Sequence, residues 1–331
     1  NELFVEFGYF PVKYNAESRN LGEYLFRSGT YYPTINSGFE LADKEKLTGV
    51  HGRFTHNFSE KSDFKADLYF TNDMRDYPVH DFSLSYILTA NLSRVLEVSA
   101  GAMHAHLIVA DKRKTTPYYD KTLFTKSPDG KRIYDVIMPD YPNVGDTAIY
   151  TFKGTKLMGR VTFDIKNLFG GEGILGKEDC KIYGETAILG LKNYPIWYED
   201  ITERWPIMVG FNFPTFKLLD VLSIELEHNP SPYTNTAERV WKNRSPIPYI
   251  PGHRHMDITD DSEWPDGIPG PITNDDFKWS VYASRKFGHF RVSAQVASDH
   301  MIRSQYMLGP PTSMRYTELC PRSTDWYWMT R

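Results

Sequence analysis

Acidic pairs and histidine pairs are the groups in this 331-residue sequence whose spacing bears on chemistry. Glu225 and Glu227 are two residues apart, as are His104 and His106. Residues at that spacing share one face of a β-strand. A glycosidase needs two carboxylates that flank a bond across a cleft, which neighbours on one strand rarely do. We therefore predict that the glutamates line a polar surface and do not catalyse a reaction. We expect the histidines to line the same kind of surface, and a metal site formed by them stays open.

A second candidate is a metal site near residue 255. His253, His255 and Asp257 alternate along the chain, so an extended segment would present them on one side as ligands. The histidine spacing matches no zinc signature, and the acidic residues that follow do not fall at the ligand positions of an EF-hand. A solvated polar loop explains the same residues, and both interpretations stay open.

No motif of a known catalytic machinery is present. The sequence has no nucleophile elbow, no zinc-protease helix motif and no phosphate-binding loop. We therefore predict no enzymatic activity, no catalytic residues and no cofactor. The formal net charge of −4 gives no reason to expect nucleic acid as a partner.

Alternation of apolar and polar residues is the dominant pattern along the chain. In residues 63–72 every second residue is apolar, and Lys65 and Asp67 lie between them. Similar segments of about ten residues recur and predict an all-β protein of antiparallel strands. The alternation changes parity near Met103, which predicts a bulge. The connections alternate in length, and the long ones cover residues 111–146 and 229–275.

Three properties favour a membrane over water as the surroundings of these strands. Aromatic residues make up 15% of a chain whose mean hydropathy is nonetheless negative. Charges of both signs occur mid-strand, where a wet interior costs little and a dry core costs much. The segments have the length that a tilted strand needs to cross a bilayer. No stretch reaches the ~20 apolar residues of a membrane-spanning helix, so a spanning chain would have to be a closed barrel.

The layout resembles bacterial outer-membrane porins. The resemblance covers most of the chain and rests on the amphipathic strands and on Trp326 and Trp328 near the end. It implies one closed antiparallel transmembrane β-barrel of about 12–16 strands over residues 1–331, with short turns on one side and long loops on the other. Porin-type chains usually end on an aromatic residue, whereas this one ends at Arg331, and we expect that both termini are incomplete.

The corresponding function is passive diffusion of small hydrophilic solutes or ions through the bacterial outer membrane. Residues 19–27 would fold inward, where Arg19, Glu23 and Arg27 would narrow the pore, although an ordinary connection explains them equally well. The polar strand faces supply the predicted pore-lining residues, which are Lys65, Asp67, Lys156, Arg160, Asp164, Glu225, Glu227, Lys278, Arg291 and Asp299.

Two other functions remain open. A soluble or surface-attached β-protein would bind carbohydrate through aromatic side chains, for which Tyr31, Tyr32, Tyr118, Tyr119, Trp241 and Trp264 are the candidates. A plugged barrel would instead serve as a structural part of an outer-membrane assembly. The expected partners of a barrel are membrane lipid, its solutes and other copies of the chain, as in a trimer. Cys180 and Cys320 allow one disulfide or two separate thiols.

Overall fold

A computed structural model gives the architecture of most of the chain. It describes residues 1–30, 35, 45–72, 80–110, 118–120, 122–126, 132–136, 148–150, 152–170, 173–193, 200–231, 255–256, 277–298 and 326–330.

The main sheet of the described residues is antiparallel and has twelve strands. Each strand pairs with the next one along the chain, which gives eleven antiparallel pairings in the order β1 to β12. The strands are β1 (Glu2–Val12), β2 (Glu45–Ser59), β3 (Ser62–Asn72), β4 (Phe82–Leu92), β5 (Leu96–Ile108), β6 (Gly154–Asp164), β7 (Lys181–Ile188), β8 (Ile207–Asn212), β9 (Val221–His228), β10 (Phe277–Phe287), β11 (Phe290–Ser298) and β12 (Trp326–Thr330).

Helix is almost absent from the described residues. One four-residue α-helix, α1, covers Tyr24–Arg27, and two 3₁₀ turns cover Ile165–Phe169 and Ile201–Arg204. Five short strands lie in the connections and form two small sheets apart from the main one. They cover Tyr118–Asp120, Thr122–Lys126, Arg132–Val136, Ala148–Tyr150 and His255–Met256. The predicted all-β, antiparallel class is therefore confirmed.

The two ends of the sheet differ in how the strands are joined. At one end, called here the turn end, two residues join β2 to β3, three join β4 to β5, and two join β10 to β11. At the other end, called the loop end, residues 13–44 join β1 to β2, and residues 109–153 join β5 to β6. Residues 229–276 also join two strands there, β9 and β10.

An irregularity in β5 interrupts the alternation. Its pairing with β4 passes from Leu84 opposite His104 to Phe82 opposite Ile108, so β5 has two extra residues there. His106 lies within that stretch, at a positive φ of 52°, and is buried, whereas His104 is half-buried. The predicted bulge is confirmed. The prediction that the two histidines share a face is wrong, because the bulge falls between them.

The edges of the sheet are β1 and β12. Among the described residues these two strands are not paired with each other, so the order of the strands alone does not close the sheet. None of the helices in the described ranges has the length and apolar character needed to cross a membrane.

Candidate functional site

The two faces of the sheet have opposite chemistry, and the apolar one is the exposed one. Leu88, in the middle of β4, is 46% exposed, and Val209 in β8 is 50% exposed. Soluble monomers rarely expose a continuous apolar surface larger than a few hundred Å². This face runs across β1 to β11, and its exposed side chains include Leu3, Val5, Phe7, Val50, Leu68, Val98, Val161, Ile182, Ile207, Leu226 and Val292.

The opposite face, called here the inner face, is polar and buried. In β9, for example, Ser223, Glu225 and Glu227 are at most 1% exposed, while the residues between them point outward. A dry apolar core would make such burial costly unless each group had a partner. Buried polar side chains of this face include Asp67, Ser85, Thr89, Ser99, Lys156, Arg160, Glu185, Lys278, Ser284 and Gln295.

Residues 13–28, called here the inward segment, fill the space against the inner face. They follow β1 directly and include α1. Leu21, Tyr24 and Leu25 are completely buried, which means that strands surround them on several sides. The segment does not lie over the loop end, because Glu17 contacts Lys181, the first residue of β7 at the turn end.

Three buried carboxylates hold the inward segment through its backbone. Glu185, Glu225 and Glu227, called here the clamp glutamates, accept hydrogen bonds from the backbone N–H groups of six successive residues, 19–24. Glu225 accepts from residues 20 and 21 at 2.9 and 3.0 Å, besides residue 19. Glu185 accepts from residues 23 and 24 at 3.0 and 2.9 Å, and Glu227 from residue 22 at 3.4 Å. Charge-assisted bonds of this kind are worth about 1.5–3 kcal/mol each.

The conformation of the segment suits this arrangement. Gly22 and Glu23 both have left-handed backbones, with φ of 78° and 60°. A run of amides that includes such residues can turn several N–H groups toward one anion. A Cβ atom on Gly22 would lie 2.6 Å from the Met208 side chain, so the close approach to β8 requires glycine there.

A tyrosine orients one of the clamp glutamates. Tyr183, Gly210 and Glu225 are direct neighbours across β7, β8 and β9. The Tyr183 hydroxyl donates to Glu225 at 2.9 Å. Its ring passes over Gly210, where an added Cβ would lie only 2.2 Å from ring atoms. Because Gly210 has no side chain, the Tyr183 side chain on β7 can pass over β8 and reach Glu225 on β9.

Cations on β6 hold the other side of the segment. Lys156 donates to the backbone oxygens of Leu25 and Ser28, the latter at 2.7 Å. Arg160 forms an ion pair with Glu97 and lies 3.5 Å from the Asn15 amide oxygen. The inner face thus offers carboxylates to the N–H groups of the segment and ammonium to its carbonyl groups.

Contacts of the segment require the sheet to curve. The Arg27 guanidinium lies 3.9 Å from Glu45 in β2 and 3.2 Å from the Asn20 carbonyl oxygen. The Asn20 N–H in turn donates to Glu225 in β9 at 2.9 Å. In a flat sheet β2 and β9 would be roughly 34 Å apart, at ~4.8 Å per strand. The Arg27 side chain and Asn20 together cannot bridge the distance between β2 and β9 in a flat sheet. The sheet therefore curves around the inward segment.

The turn end of the segment carries a separate ion cluster. Lys181 donates to Glu17 and to Glu178, at 2.9 Å in each case. Burial raises the pKa of Glu17, and the neighbouring Glu178 charge adds to that rise against the pull of Lys181. Burial acts in the same direction on Glu178, but the Lys181 ammonium holds the pKa of Glu178 below its ordinary value.

A second network lies on β1, β2 and β3. The His51 ring nitrogens lie 2.8 Å from Glu6 and 2.7 Å from Asp67. An ionised carboxylate only accepts, so His51 donates from both nitrogens, as an imidazolium, when both of these carboxylates are ionised. Arg53 also donates to Asp67, at 2.6 Å, and the His51 ring stacks on Tyr69 with centroids 4.2 Å apart.

This second network borders a cavity of about 280 Å³. The cavity lies between the first three strands and the start of the inward segment. Arg53 is 40% exposed and Glu6 is 34% exposed, whereas Asp67, behind them, is 7% exposed. The residues around the cavity are Phe4, Glu6, Pro11, Val12, Lys13, His51, Arg53 and Tyr69.

The predicted pore-lining residues fall into three groups. Seven lie buried on the inner face, and five of these either contact the inward segment or belong to the network of His51. Two lie elsewhere: Lys65 is half-buried beside Asp63 at 3.4 Å, and Arg291 is exposed beside the β10–β11 turn. Asp299 is outside the described residues. The buried seven are Asp67, Lys156, Arg160, Asp164, Glu225, Glu227 and Lys278. Asp164 pairs with Lys166 at 2.7 Å.

The predicted constriction residues lie in the inward segment. Arg27 pairs with Glu23 at 3.0 Å, and the two side chains are 3% and 2% exposed. The Arg19 guanidinium lies over the Tyr282 ring at 5.8 Å from its centroid. Residues 24–27 form one helical turn, as the alternative interpretation expected, and the narrowing of a pore by these three residues stays a prediction.

Other predictions fall outside the described residues. They concern His253 and Asp257, the side chains of His255, Tyr118 and Tyr119, the residues Tyr31, Tyr32, Trp241 and Trp264, and a bridge to Cys320. In the ranges that the structure does describe, no cluster of three or more histidine, cysteine or acidic side chains has the arrangement of a metal site.

Sequence reasoning missed several residues of the site. Glu185 sits on a strand face with Tyr183 and Ala187, which made that face look apolar. Its alternation with outward Ile182 marks it as an inner-face residue. Alternation places Glu6 and His51 on the polar faces of their strands, but their contact depends on the register of β1 against β2.

No protein-family model matches this chain, and neither a curated protein nor a solved structure matches it.

Proposed function

We propose that this chain spans a bacterial outer membrane as a closed β-barrel and lets small hydrophilic solutes or ions diffuse through its polar interior. The observation that carries the proposal is the reversal of the two faces, with buried charges inside and exposed aliphatic and aromatic side chains outside. Lipid covers such an outer face at no cost, and closure satisfies the backbone groups at the two sheet edges.

Strand length supports a membrane-spanning role. β3, β4, β6 and β10 each have 11 residues. An 11-residue strand is roughly 36 Å long and, when tilted by about 45°, rises roughly 26 Å. That rise matches the ~25 Å apolar band of outer-membrane barrels.

The interior supports a narrow passage. The inward segment fills the space beside β6 to β9, whereas the cavity beside β1 to β3 is bordered by charged groups that are partly exposed. A solute that crosses would therefore pass next to Glu6 and Arg53, where charged side chains of both signs replace part of its hydration.

The experiment combines a folding test with a permeability test. A closed barrel that resists SDS should change its gel mobility on boiling. Proteoliposomes should then take up radiolabelled glucose faster than empty vesicles. A protein that stays soluble without detergent and shows no mobility change would contradict the proposal.

A second candidate is a plugged barrel with a structural role. It is favoured by one observation, the complete burial of Leu21, Tyr24 and Leu25 in the inward segment. It predicts a mobility change on boiling but no uptake by the natural protein. Uptake that appears only when the clamp glutamates are replaced would select this candidate.

A further inference from the structure

We propose that two neighbouring turns at the turn end of the sheet bind the headgroup phosphates of anionic phospholipids. The first turn covers residues 213–220, between β8 and β9, and the second covers residues 285–291, at the tip of the β10–β11 hairpin. Together they are called here the basic tip. The proposal rests on the membrane-spanning part of the proposed function, to which it adds a preference for one class of lipid.

Direct contacts hold the two turns together. The Asp220 carboxylate accepts from the backbone N–H of Lys286 at 2.7 Å and lies 3.5 Å from the Arg285 guanidinium. That guanidinium also donates to the backbone oxygen of Lys217. The Asp220 N–H donates to the carbonyl oxygen of Ser284 at 2.9 Å. The two turns therefore form one surface.

Exposed apolar side chains place the basic tip at the edge of the outer face. Phe287 and Phe290 face each other across the hairpin, and Phe290 is 78% exposed. Phe290 lies on the same side of β11 as the outward Val292. Phe216 and Leu218 are exposed in the other turn. Aromatic side chains of membrane proteins gather at the level of the lipid headgroups, and we expect the basic tip at that level.

Cations outnumber carboxylates on this surface. A second carboxylate, besides that of Asp220, comes from the buried Asp179, which accepts from the backbone N–H of Phe216 at 3.1 Å. The four cations of the two turns are Lys217, Arg285, Lys286 and Arg291. Four cations against two carboxylates leave two positive charges in excess, with histidine counted as neutral.

Three of the four cations have no carboxylate partner. Lys217, Lys286 and Arg291 form no ion pair in the ranges that the structure describes. The Lys217 ammonium donates instead to the carbonyl oxygen of Gly173 at 2.8 Å. Lys286 and Arg291 are exposed and lie directly opposite each other across the hairpin. Like charges in that position repel, and a phosphate beside them would offset the repulsion.

The neighbouring apolar side chains favour lipid over a soluble acidic protein. An anionic phospholipid offers a phosphate to the cations and acyl chains to Phe287 and Phe290, whereas an acidic protein would match the cations alone. Lys286 and Arg291 start on the inner side of the hairpin. At the tip, however, side chains of this length can turn their charged ends toward the bilayer surface.

Lipid-dependent stability tests the proposal on the full chain in detergent. Urea unfolding would be compared after addition of phosphatidylglycerol, which is anionic, or of phosphatidylcholine, which has no net charge. A lipid that binds only the folded protein raises the unfolding midpoint, and the size of the rise gives its apparent affinity. We expect an affinity for phosphatidylglycerol about fivefold or more above that for phosphatidylcholine. Equal midpoints with the two lipids would overturn the proposal and leave an acidic protein as the partner of these cations.

Two matched double variants locate the binding. Lys286→Gln with Arg291→Gln should lower the preference by at least about threefold. Without added lipid it should not destabilise the protein, because it removes two like charges that face each other. Lys61→Gln with Arg94→Gln removes two exposed cations from other turns at the same end and should leave the preference intact. Loss of the preference in both double variants, or in neither, would contradict the assignment to the basic tip.

Gel mobility and uptake separate lipid binding from the proposed function. Equal effects of the two lipids on a protein that shifts on boiling and takes up glucose would refute the lipid preference and leave the channel standing. A preference for phosphatidylglycerol in a protein without uptake would support the binding and refute the channel.

Discussion

The two sides of the interior use charged residues in different ways. On β7 to β9 the clamp glutamates are buried and bind backbone N–H groups of the inward segment. On β1 to β3 the charges bind one another, and Glu6 and Arg53 remain partly exposed at a cavity. The first side fixes a segment of the chain, and the second side leaves side chains available to water and solutes.

The difference follows from what each carboxylate faces. A buried carboxylate needs several donors, and six successive N–H groups of one segment supply them. The Glu6–His51–Asp67–Arg53 network is already neutral within itself, so it needs no part of the chain to cover it. Removal of a charge on β7 to β9 should therefore release the inward segment. Removal of a charge on β1 to β3 should instead change the ion selectivity of the channel.

The largest effect is expected from Glu185→Gln combined with Glu225→Gln. Both changes keep the shape but weaken four or more charge-assisted bonds to the inward segment, at about 1 kcal/mol or more for each bond. In a fraction of the molecules the inward segment should detach from the inner face, and bilayer conductance should therefore rise severalfold. Glu178→Gln at the turn end is the control, and an unchanged conductance in the double variant would show that these glutamates do not hold the segment.

Gly210→Ala should destabilise the protein by about 1–3 kcal/mol, because a Cβ displaces the Tyr183 ring and leaves Glu225 without that donor. Urea unfolding in detergent measures the change. Tyr183→Phe removes the same hydrogen bond to Glu225. When Gly210→Ala is made in the Tyr183→Phe variant, it should therefore lower the free energy of unfolding only by its steric cost. If the losses of the two single variants add up fully in the double variant, the proposed link is contradicted.

His51→Asn should shift ion selectivity toward cations by about twofold, because it removes one positive charge beside the cavity. The reversal potential across a bilayer with a KCl gradient measures the shift. His56→Asn, near the turn end of the same strand, should have no such effect. A large rise in conductance with His51→Asn would mean that this network, too, holds the inward segment.

The smallest effect is expected from Glu17→Gln. The pKa of Glu17 is raised, so its stabilising contribution is present below the ordinary carboxyl pKa and is lost as the pH rises through the raised value. At pH 7 the variant should differ from the natural protein by less than about 1 kcal/mol. Glu178 has a lowered pKa, so its contribution has the opposite sign and is lost as the pH falls. Urea midpoints of Glu17→Gln and Glu178→Gln at pH 7 and pH 4 measure both contributions. A change of stability with pH in the same direction in both variants would contradict this assignment.

Alternation in the sequence is enough to predict the strands and the face on which most charges lie. Asp67, Arg160 and Glu225 are on the buried face because a strand turns every second side chain the same way. The inward fold of residues 19–27 is predictable as a segment between two strands. Its anchorage is not, because the clamp glutamates bind backbone groups, which carry no sequence signal. The His51 network depends on strand register, which alternation leaves open.

Site-directed fluorescence in lipid tests the central claim, that the apolar face meets the membrane and the polar face does not. Cysteines would be placed at Val209 on the outer face and at Ser280 on the inner face, with Cys180 and Cys320 replaced, and labelled with an environment-sensitive dye. Lipids that carry a quencher on their acyl chains should quench the dye at residue 209 and leave the dye at residue 280 bright. Equal quenching at both positions, or quenching at residue 280 alone, would contradict the account.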